Sequence, residues 1–365
     1  MKITTFLQNL AGGGAERVAV LLMNGLAERH EVTLMLARRE GPYIADLDPR
    51  IKVEDLGGKR TFSSIVPLAK FLRSNRPDVL VSHLTHVNVA AALAVRLSMT
   101  STPLVAVEHN QMGLNYERLQ SRAVRAAYHL IPLVYPRIDR VVTVSDGVGA
   151  SVREFSKIGP RNFLTINNPV VTPRVREMAA DTPAHPWLSD GGAPVILGCG
   201  RLVEQKDFEN LINAFARVRS QRLARLLILG EGEKRDELVA LVDQLDLTED
   251  VALPGFDRNP FAAMRAAKLF VLSSRWEGLP TVLIEALASG AVVAATDCPS
   301  GPDEVLKGGE LGPLVPVANA EALANGIIEA LDNPVPSEKR LERANDYTVE
   351  SAVLAYEHLF SELVD

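Results

Sequence analysis

Two glutamates with seven residues between them, Glu277 and Glu285, are the side chains best suited to chemistry in this sequence. They lie in the run RWEGLPTVLIE, which follows an apolar segment and opens a helical pattern that Gly290 ends. Pro280 suits the first helical position, which places Glu277 in the loop before the helix and Glu285 inside it. An ionised carboxylate only accepts hydrogen bonds, and the hydroxyl groups of a sugar or a ribose are suitable donors. The pair therefore predicts a site for a polyhydroxylated ligand.

The start of the same helix predicts an anion site. Gly278 allows the backbone to approach a ligand, and the first N–H groups of a helix have no partner within it. These groups and the helix dipole attract a phosphate. The alternative is that Glu285 only caps a surface and that Glu277 is a solvated loop residue. The residues predicted to bind substrate here are Glu277, Gly278, Leu279, Pro280, Thr281 and Glu285.

Two cations precede a second helix in the segment Gly200–Phe208, which reads GRLVEQKDF. Arg201 and Lys206 are five residues apart and follow a glycine that releases the preceding strand. Arginine binds a phosphate through two parallel hydrogen bonds, and lysine binds it as a point charge. The pair suits a diphosphate, above all one that gains charge as it leaves. For either cation alone, the alternative is a solvated surface charge.

Short apolar runs alternate with helical patterns along the chain, which predicts α/β domains with parallel sheets covered by helices. The alternation breaks at a stretch rich in proline and glycine and then restarts. We predict a first Rossmann-like domain over residues 1–170, a linker over 171–193 and a second domain over 194–348, facing each other across a cleft. The terminal amphipathic helix, within 349–365, either caps the second domain or crosses back to the first.

The first domain offers a glycine-rich turn and a histidine. Gly12, Gly13 and Gly14 follow the first strand and open a helix that includes Arg17, and glycines there permit close approach of a ligand. The turn is neither a Walker loop nor a dinucleotide fingerprint. His109 follows another predicted strand and is expected to point into the cleft. The histidines expected to be structural are His83, His86 and His129.

Composition argues against several classes of function. The chain has 365 residues, enough for two ordinary domains, and a net charge of −6, unlike a dedicated nucleic-acid binder. Its two cysteines, Cys199 and Cys298, belong to no zinc motif. The longest apolar stretch, near Ala126–Tyr135, is interrupted by a proline and is too short to span a bilayer. We therefore expect a protein of the cytoplasm that does not span a membrane.

Together these segments resemble the family 4 retaining glycosyltransferases, which have the GT-B fold of two Rossmann-like domains. The resemblance covers nearly the whole chain and rests on the runs GGGAER, EHN, GRLVEQK and EGLPTVLIE. It implies that Glu277 contacts the donor sugar and Glu285 the nucleotide ribose. Arg201 and Lys206 would then hold the diphosphate. The segment 297–304, which follows the glutamates, also matches the family pattern.

The resemblance adds residues that spacing alone does not single out. Gly230 and Phe256 would lie near the nucleotide base, although Phe256 could instead serve packing only. The GGGAER turn would lie where the acceptor enters. His109 would hydrogen-bond the sugar or polarise the acceptor hydroxyl. The catalytic residues implied in this way are Glu277, His109, Arg201 and Lys206.

The implied reaction is transfer of a hexose-type sugar, with retention, from a nucleoside-diphosphate sugar to a glycan or a lipid-linked acceptor. A UDP-sugar is preferred to a GDP-sugar as the expected donor. The resemblance also implies that the enzyme needs no cofactor and no metal ion, because Arg201, Lys206 and a helix dipole would take the place of Mg²⁺. One alternative is another GT-B enzyme, such as a nucleotide-sugar epimerase or a phosphorylase. The other is a non-catalytic protein that binds sugar nucleotides.

A basic stretch predicts a surface for membranes. Residues 118–140 contain five arginines and one acidic residue, with leucines and valines interleaved. A helix of this kind can lie on the anionic inner face of a membrane and steer a lipid-linked acceptor. The alternative is a solvated helical face beside a core stripe.

Overall fold

The computed structural model of the chain describes residues 1–11, 13–58, 60–119, 121–156, 159 and 162–364. It divides into two compact units. The first comprises Met1–Pro169 with Val349–Asp365, and the second comprises Val170–Thr348. Each unit is built around one parallel β-sheet.

The first unit has a seven-stranded sheet in the order β3-β2-β1-β4-β5-β6-β7. Its strands are β1 (Lys2–Leu7), β2 (Glu31–Leu36), β3 (Lys52–Asp55), β4 (Val79–His83), β5 (Leu104–Glu108), β6 (Arg140–Thr143) and β7 (Phe163–Thr165). The helices between them are α1 (Gly14–Leu26), α2 (Ile65–Asn75), α3 (Thr85–Ser98), α4 (Met112–Arg118), α5 (Arg122–Val134) and α6 (Asp146–Ser156). Strands β4 and β5 are buried along their whole length, as the apolar runs of a parallel sheet require.

The second unit has a six-stranded sheet in the order β10-β9-β8-β11-β12-β13. Its strands are β8 (Val195–Cys199), β9 (Arg225–Leu229), β10 (Val251–Gly255), β11 (Leu269–Leu272), β12 (Val293–Thr296) and β13 (Leu314–Val315). Its helices are α7 (Pro173–Ala179), α8 (Phe208–Arg219), α9 (Arg235–Gln244), α10 (Pro260–Ala266), α11 (Thr281–Ala288), α12 (Pro302–Val305), α13 (Ala320–Asp332) and α14 (Ser337–Asn345).

Both sheets reverse the direction in which strands are added. The chain builds outwards from β1 or β8 on one side and then returns to add β4 or β11 on the other side. At such a switch point the loops after the two adjoining strands diverge and leave a crevice in which ligands bind. The predicted phosphate-binding loop after β8 and the glutamate loop after β11 therefore start from one crevice in the second unit.

The segment 171–193, which the sequence predicts as a linker, is part of the second unit. It contains α7, whose first residue is a proline. The side-chain amide of Asn259 donates to the carbonyl of Met178 in that helix at 2.9 Å. The N–H of Val171 donates to the carbonyl of Tyr347 at 2.9 Å. Pro173 thus starts a packed helix, so this part of the segment is not an extended connection.

The terminal helix α15 (Val349–Val364) packs against α1 in the first unit. The two helices approach closely, because a Cβ atom at Gly25 would lie 2.7 Å from methyl groups of both Val349 and Val353. The carboxylate of Glu357 lies 2.8 Å from the ring of His30. The sequence leaves two possibilities for this helix, to cap the second domain or to cross back to the first. In the structure it belongs to the first unit.

The core of the second unit lies between α8, α13 and the sheet. Phe208, Leu211, Phe215 and Val218 are buried along one face of α8 at spacings of three and four residues. Burying a side chain of this kind contributes about 1.5–3 kcal/mol. This packing fixes α8, and with it the loop that leads from β8 into the helix.

The loops after β8, β9 and β10 are joined through their backbones. The N–H of Gly200 donates to the carbonyl of Leu229 at 2.9 Å, and the N–H of Gly230 donates to that of Gly255 at 2.8 Å. Gly230 has a φ of +143°, and a Cβ atom on it would lie 1.9 Å from the carbonyl oxygen of Gly200. Only glycine allows this approach.

Replacing Gly230 by alanine is therefore expected to destabilise the second unit by about 3 kcal/mol, because the Gly200 carbonyl must move and the backbone is strained. Gly290→Ala is the matched control, since Gly290 also has a positive φ, +83°, but no atom lies within 4 Å of the added methyl group. We expect it to cost about 1 kcal/mol. Urea unfolding measures both variants, and equal losses would contradict the close approach.

Candidate active site

Two loops meet at the switch point of the second unit, one after β8 and one after β11. The carbonyl of Gln205 accepts a hydrogen bond from the N–H of Arg275 at 2.8 Å. The side-chain amide of Gln205 donates to the carbonyl of Trp276 at 3.0 Å. The hydroxyl of Ser273 donates to the carbonyl of Lys206 at 2.7 Å. These bonds hold the loops side by side.

The ammonium of Lys206 lies 2.6 Å from Oε1 of Glu277, and the two side chains are only 14% and 9% exposed. The same oxygen accepts from the hydroxyl of Ser274 at 2.7 Å, and Oε2 accepts from the amide of Gln205 at 3.3 Å. A lysine ammonium has three N–H donors. Within the described residues only Glu277 takes one of them, so two are available to a ligand.

The two glutamates are buried, which excludes the alternative that they are ordinary surface residues. Glu277 is 8% exposed and Glu285 is 5% exposed. Burial, followed by the negative charge of Glu285, raises the pKa of Cys199, the last residue of β8, to about 12. The sequence predicts separate partners for Glu277 and Lys206, and their direct pairing is a feature that only the structure reveals.

Helix α11 begins at Thr281, one residue later than the sequence predicts, and Pro280 is its capping residue. The carbonyl of Pro280 accepts from the N–H of Leu283 at 3.0 Å. No side chain caps this end of the helix within the described part of the chain, so the N–H groups of Thr281 and Val282 have no capping partner there. Gly290 follows the last turn in the left-handed conformation.

The segment 297–304 supports the loop before α11 from behind. The hydroxyl of Ser300 donates to the carbonyl of Gly278 at 2.7 Å. Gly301 has a φ of +98°, and a Cβ atom there would lie 2.4 Å from the ring of Pro280. Segment 297–304 therefore fixes the backbone beside Glu277. This role gives a structural reason for its match to the family pattern.

Arg201 and Phe256 lie exposed after β8 and β10. The side chain of Arg201 forms no hydrogen bond or ion pair with any residue in the described ranges, so its guanidinium is open to a ligand. The ring of Phe256 is 76% exposed, which contradicts the alternative that it serves packing only. Gly230, next to Gly200, lies between these two loops. An exposed ring at this edge is suited to stacking on a nucleotide base.

His109, which the sequence predicts to point into the cleft, is buried in the first unit. The residue is 7% exposed, and its Nε2 lies 3.0 Å from Nδ1 of His83. Burial lowers the pKa of His109 to about 4 and the pKa of His83 well below its usual value. His86 makes a structural contact, donating to the side-chain oxygen of Gln8 at 2.7 Å.

Sequence reasoning missed Glu108, the residue before His109. Its carboxylate is buried and accepts hydrogen bonds from Thr85 at 2.7 Å, from Asn88 at 2.7 Å and from the hydroxyl of Tyr135. Burial raises the pKa of Glu108 to about 7, although these three bonds favour the ionised form. These hydrogen-bond donors come from α3 and from the turn after α5. They are distant from Glu108 in the sequence, so no local spacing predicts their contact with it.

The glycine-rich turn is described in part, since Gly12 lies outside the described residues. Gly13 caps α1 and Gly14 is its first residue, and both are exposed. A Cβ atom at Gly13 would lie 2.2 Å from the carboxylate of Glu16, so a negative charge already faces this helix start. Arg17 is half-buried one turn along. The turn is therefore better suited to hydroxyl groups than to a phosphate.

Helix α5, within the basic stretch 118–140, exposes a mixed basic and apolar face. Arg125 and His129 are exposed, and Leu133 is 63% exposed. These side chains are four positions apart and share one face. The side chain of Arg137 donates to the carbonyl of Leu133 at the end of the helix. In the described ranges, no helix has both the length and the apolar character needed to cross a bilayer.

The carboxylates of the first unit include an Asp-x-Asp pair, Asp46 and Asp48, which is a spacing that can hold Mg²⁺. Both oxygens of Asp48 accept hydrogen bonds from Arg50 at 2.8 Å, and these bonds lower the pKa of Asp48 to about 2. Among the residues that the structure describes, no group of three or more His, Cys, Asp or Glu side chains is placed to hold a metal ion.

Comparison with known proteins gives matches over both units. The family model described as Glycosyltransferase Family 4 matches residues 12–174, and that of Glycosyl transferases group 1 matches residues 184–348. The N-acetylgalactosamine-N,N'-diacetylbacillosaminyl-diphospho-undecaprenol 4-alpha-N-acetylgalactosaminyltransferase of Campylobacter jejuni is 31% identical, over 91% of this chain and 90% of its own. The lipopolysaccharide core biosynthesis glycosyltransferase LpsE of Rhizobium meliloti is 29% identical, over 96% of this chain and 94% of its own.

Solved structures share the fold. HepE of Anabaena, crystallised in complex with UDP, has a TM-score of 0.80 at 19% identity and covers 99% of this chain and 100% of its own. The sucrose-phosphate synthase of Thermosynechococcus elongatus has a TM-score of 0.78 at 19% identity, over 100% and 99% of the two chains. The predicted GT-B fold is thereby confirmed. With these sequence relatives, the chain belongs to the group 1 and family 4 glycosyltransferases.

Proposed function

We propose that this glycosyltransferase transfers a hexose-type sugar, with retention of configuration, from a nucleoside-diphosphate sugar to a glycan or a lipid-linked acceptor. UDP is the preferred nucleotide and GDP the second choice, and the reaction needs no metal ion and no cofactor. The observation that carries the proposal is the pair of Lys206 and Glu277. It sets a cation with unused donors beside a carboxylate, so that the phosphate and the sugar of one donor each meet a suitable partner.

The donor would bind in the second unit. Arg201, Lys206 and the start of α11 would hold the diphosphate, with about 1.5–3 kcal/mol from each charged hydrogen bond. Glu285, buried in α11, would accept the hydroxyl groups of the ribose. Gly230 and the exposed ring of Phe256 would adjoin the base. HepE, a protein of the same fold, was crystallised in complex with UDP. That complex supports a uridine nucleotide as the first donor to test.

The proposed chemistry takes place at the bond between the anomeric carbon and the phosphate oxygen. The acceptor hydroxyl attacks on the face from which the diphosphate departs, and its proton passes to the departing phosphate oxygen. Lys206 and Arg201 stabilise the charge that grows on this oxygen, a task that a metal ion performs in other transferases. Glu277 orients the sugar through its hydroxyl groups, and His109 hydrogen-bonds a substrate hydroxyl from the first unit.

The proposed acceptor follows from the relatives and from α5. The Campylobacter relative is named for an undecaprenol-linked acceptor, and the Rhizobium relative for the lipopolysaccharide core. An anionic bilayer would attract Arg125 and Arg137, while Leu133 would enter its headgroup region. We therefore place the enzyme in the cytoplasm, in peripheral contact with the inner face of the membrane.

A panel of UDP- and GDP-hexoses, measured by nucleotide release with and without a membrane lipid extract, tests this function. We expect release of UDP from one donor, increased on the order of tenfold by the extract because the reaction needs its acceptor. The product should keep the anomeric configuration of the donor when it is examined by NMR. Interconversion of the donor sugar without acceptor would favour an epimerase, and cleavage that requires inorganic phosphate would favour a phosphorylase. Donor binding without turnover would favour the non-catalytic alternative.

Variants of the ion pair separate the phosphate from the sugar. Lys206→Ala should weaken the binding of UDP by about 10- to 100-fold, because one charged hydrogen bond is lost. Glu277→Ala should leave UDP binding unchanged or tighter, since UDP lacks the transferred hexose that Glu277 is proposed to contact, and should lower kcat by about 100-fold. Calorimetry with UDP and initial rates with the donor give the two readouts.

The matched control for these variants is Lys234→Ala, which removes a lysine of the same unit that pairs with Glu237. It should change neither UDP binding nor turnover. Full turnover by either Lys206→Ala or Glu277→Ala would contradict the proposed mechanism.

The membrane surface is tested by sedimentation with vesicles of anionic phospholipid. Leu133→Asp should reduce the bound fraction about tenfold, because a carboxylate enters the headgroup region in place of an apolar side chain. Val66→Asp is the control, since Val66 is 52% exposed on α2 in the same unit. An equal loss in both variants, or a wild-type protein that does not bind, would contradict the role of α5.

A further inference from the structure

Two histidines face each other inside the first unit, at the carboxyl ends of the neighbouring strands β4 and β5. Nδ1 of His83 and Nε2 of His109 are 3.0 Å apart, and the ring centroids are 5.3 Å apart. His83 is 1% exposed and His109 is 7% exposed. The register of the two strands places His83 opposite Val107. The sheet itself therefore holds the rings together.

Both rings are neutral at neutral pH, because burial lowers both pKa values. A hydrogen bond between two neutral imidazoles needs one N–H donor and one bare nitrogen. Either His83 donates and His109 accepts, or the reverse. The two arrangements differ in what His109 offers to a ligand, since its remaining nitrogen, Nδ1, is a donor in the first and an acceptor in the second.

The remaining nitrogen of His83 distinguishes these arrangements. Nε2 of His83 is buried and has no hydrogen-bond partner among the described residues. If His109 were the donor, the proton of His83 would lie on this nitrogen as a buried N–H without an acceptor. Orphaned buried N–H groups are rarer in native proteins than under-used acceptors. The arrangement in which His83 donates avoids such a group.

We propose that His83 is a positioning residue that donates from Nδ1 to Nε2 of His109 and so keeps the proton of His109 on Nδ1. His109 then presents an N–H donor to a substrate oxygen and is not a base towards it. Its Nδ1 makes no hydrogen bond within the described residues and is available for that contact. The inference rests on the substrate role proposed above for His109 and specifies the chemical form that this role requires.

The backbone on either side holds the pair in place. Leu84, which follows His83, has a φ of +76°, a conformation that costs a non-glycine residue about 1–3 kcal/mol. Its N–H donates to the carbonyl of Val107 at 3.1 Å. Glu108, which precedes His109, is fixed by its three hydrogen-bond donors. The orientation of both rings is thus built into the unit before any ligand binds.

Nitrogen-15 NMR reads the protonated nitrogen of His109 directly. Two-bond ¹⁵N–¹H correlation spectra of the histidine-labelled protein at neutral pH contain signals from seven histidines. His109→Gln assigns its own signal by removing it, and the through-space contact with His83 gives the same assignment should that variant fail to fold. We expect a protonated Nδ1 and a bare Nε2. A protonated Nε2 in the wild-type protein would overturn the proposal.

Two variants of His83 test its role, with His86→Leu as the control for loss of a buried histidine. His83→Leu removes the donor to Nε2 of His109, so both tautomers of His109 should be populated: an isolated neutral imidazole prefers the proton on Nε2, but a buried N–H beside leucine lacks an acceptor. This variant should lower kcat by about two- to tenfold with little change in KM. His83→Asn places an amide donor near the position of Nδ1 and should restore both properties. His86→Leu should leave the proton of His109 on Nδ1.

An unchanged tautomer in His83→Leu would contradict the proposal. The same conclusion would follow if His83→Asn kept the tautomer but lost as much kcat as His83→Leu. The spectra are recorded without substrate, so their result stands whether or not the proposed transfer reaction is found. Conversely, failure of the transfer assay with the expected tautomer would count against the proposed function alone.

Discussion

Lys206 and Glu277 face each other at 2.6 Å in a place where little water reaches either charge. Each ion loses hydration worth on the order of several kcal/mol there, and their attraction returns this only if the remaining protons and lone pairs are also used. Ser274 and Gln205 meet part of that need. The unused ammonium protons and the weakly bonded Oε2 are left for a ligand. The pair therefore acts as a preorganised site and is a weak source of stability.

Lys206 and Glu277 are 71 residues apart in the chain. Their contact therefore depends on the rest of the second unit. The reversal of strand order brings the ends of β8 and β11 together, and backbone bonds then join their loops. Behind them, Gly301 packs on the turn before α11. At the other end of α11, Arg340 donates to the carbonyl of Gly290 at 2.7 Å and places a cation at the helix C-terminus.

The sequence predicts those parts of the molecule that have a local signal. The strands β5 and β9 each contain four consecutive apolar residues, which is the pattern from which a buried strand is predicted. The edge strand β3 reads KVED, too polar and too short to be recognised. Glu277 and Lys206 could be selected from their runs, yet their contact depends on the folded sheet. Glu108 belongs to the EHN run, but its buried hydrogen bonds could not be predicted, because its partners come from other elements.

A crystal structure of the protein with UDP would locate the diphosphate relative to the ion pair of Lys206 and Glu277. We expect a terminal phosphate oxygen within about 3.2 Å of the Lys206 ammonium, and a ribose hydroxyl at a similar distance from Glu285. A diphosphate bound elsewhere in the second unit, with Lys206 and Glu277 contacting only each other, would contradict the proposed role of this pair.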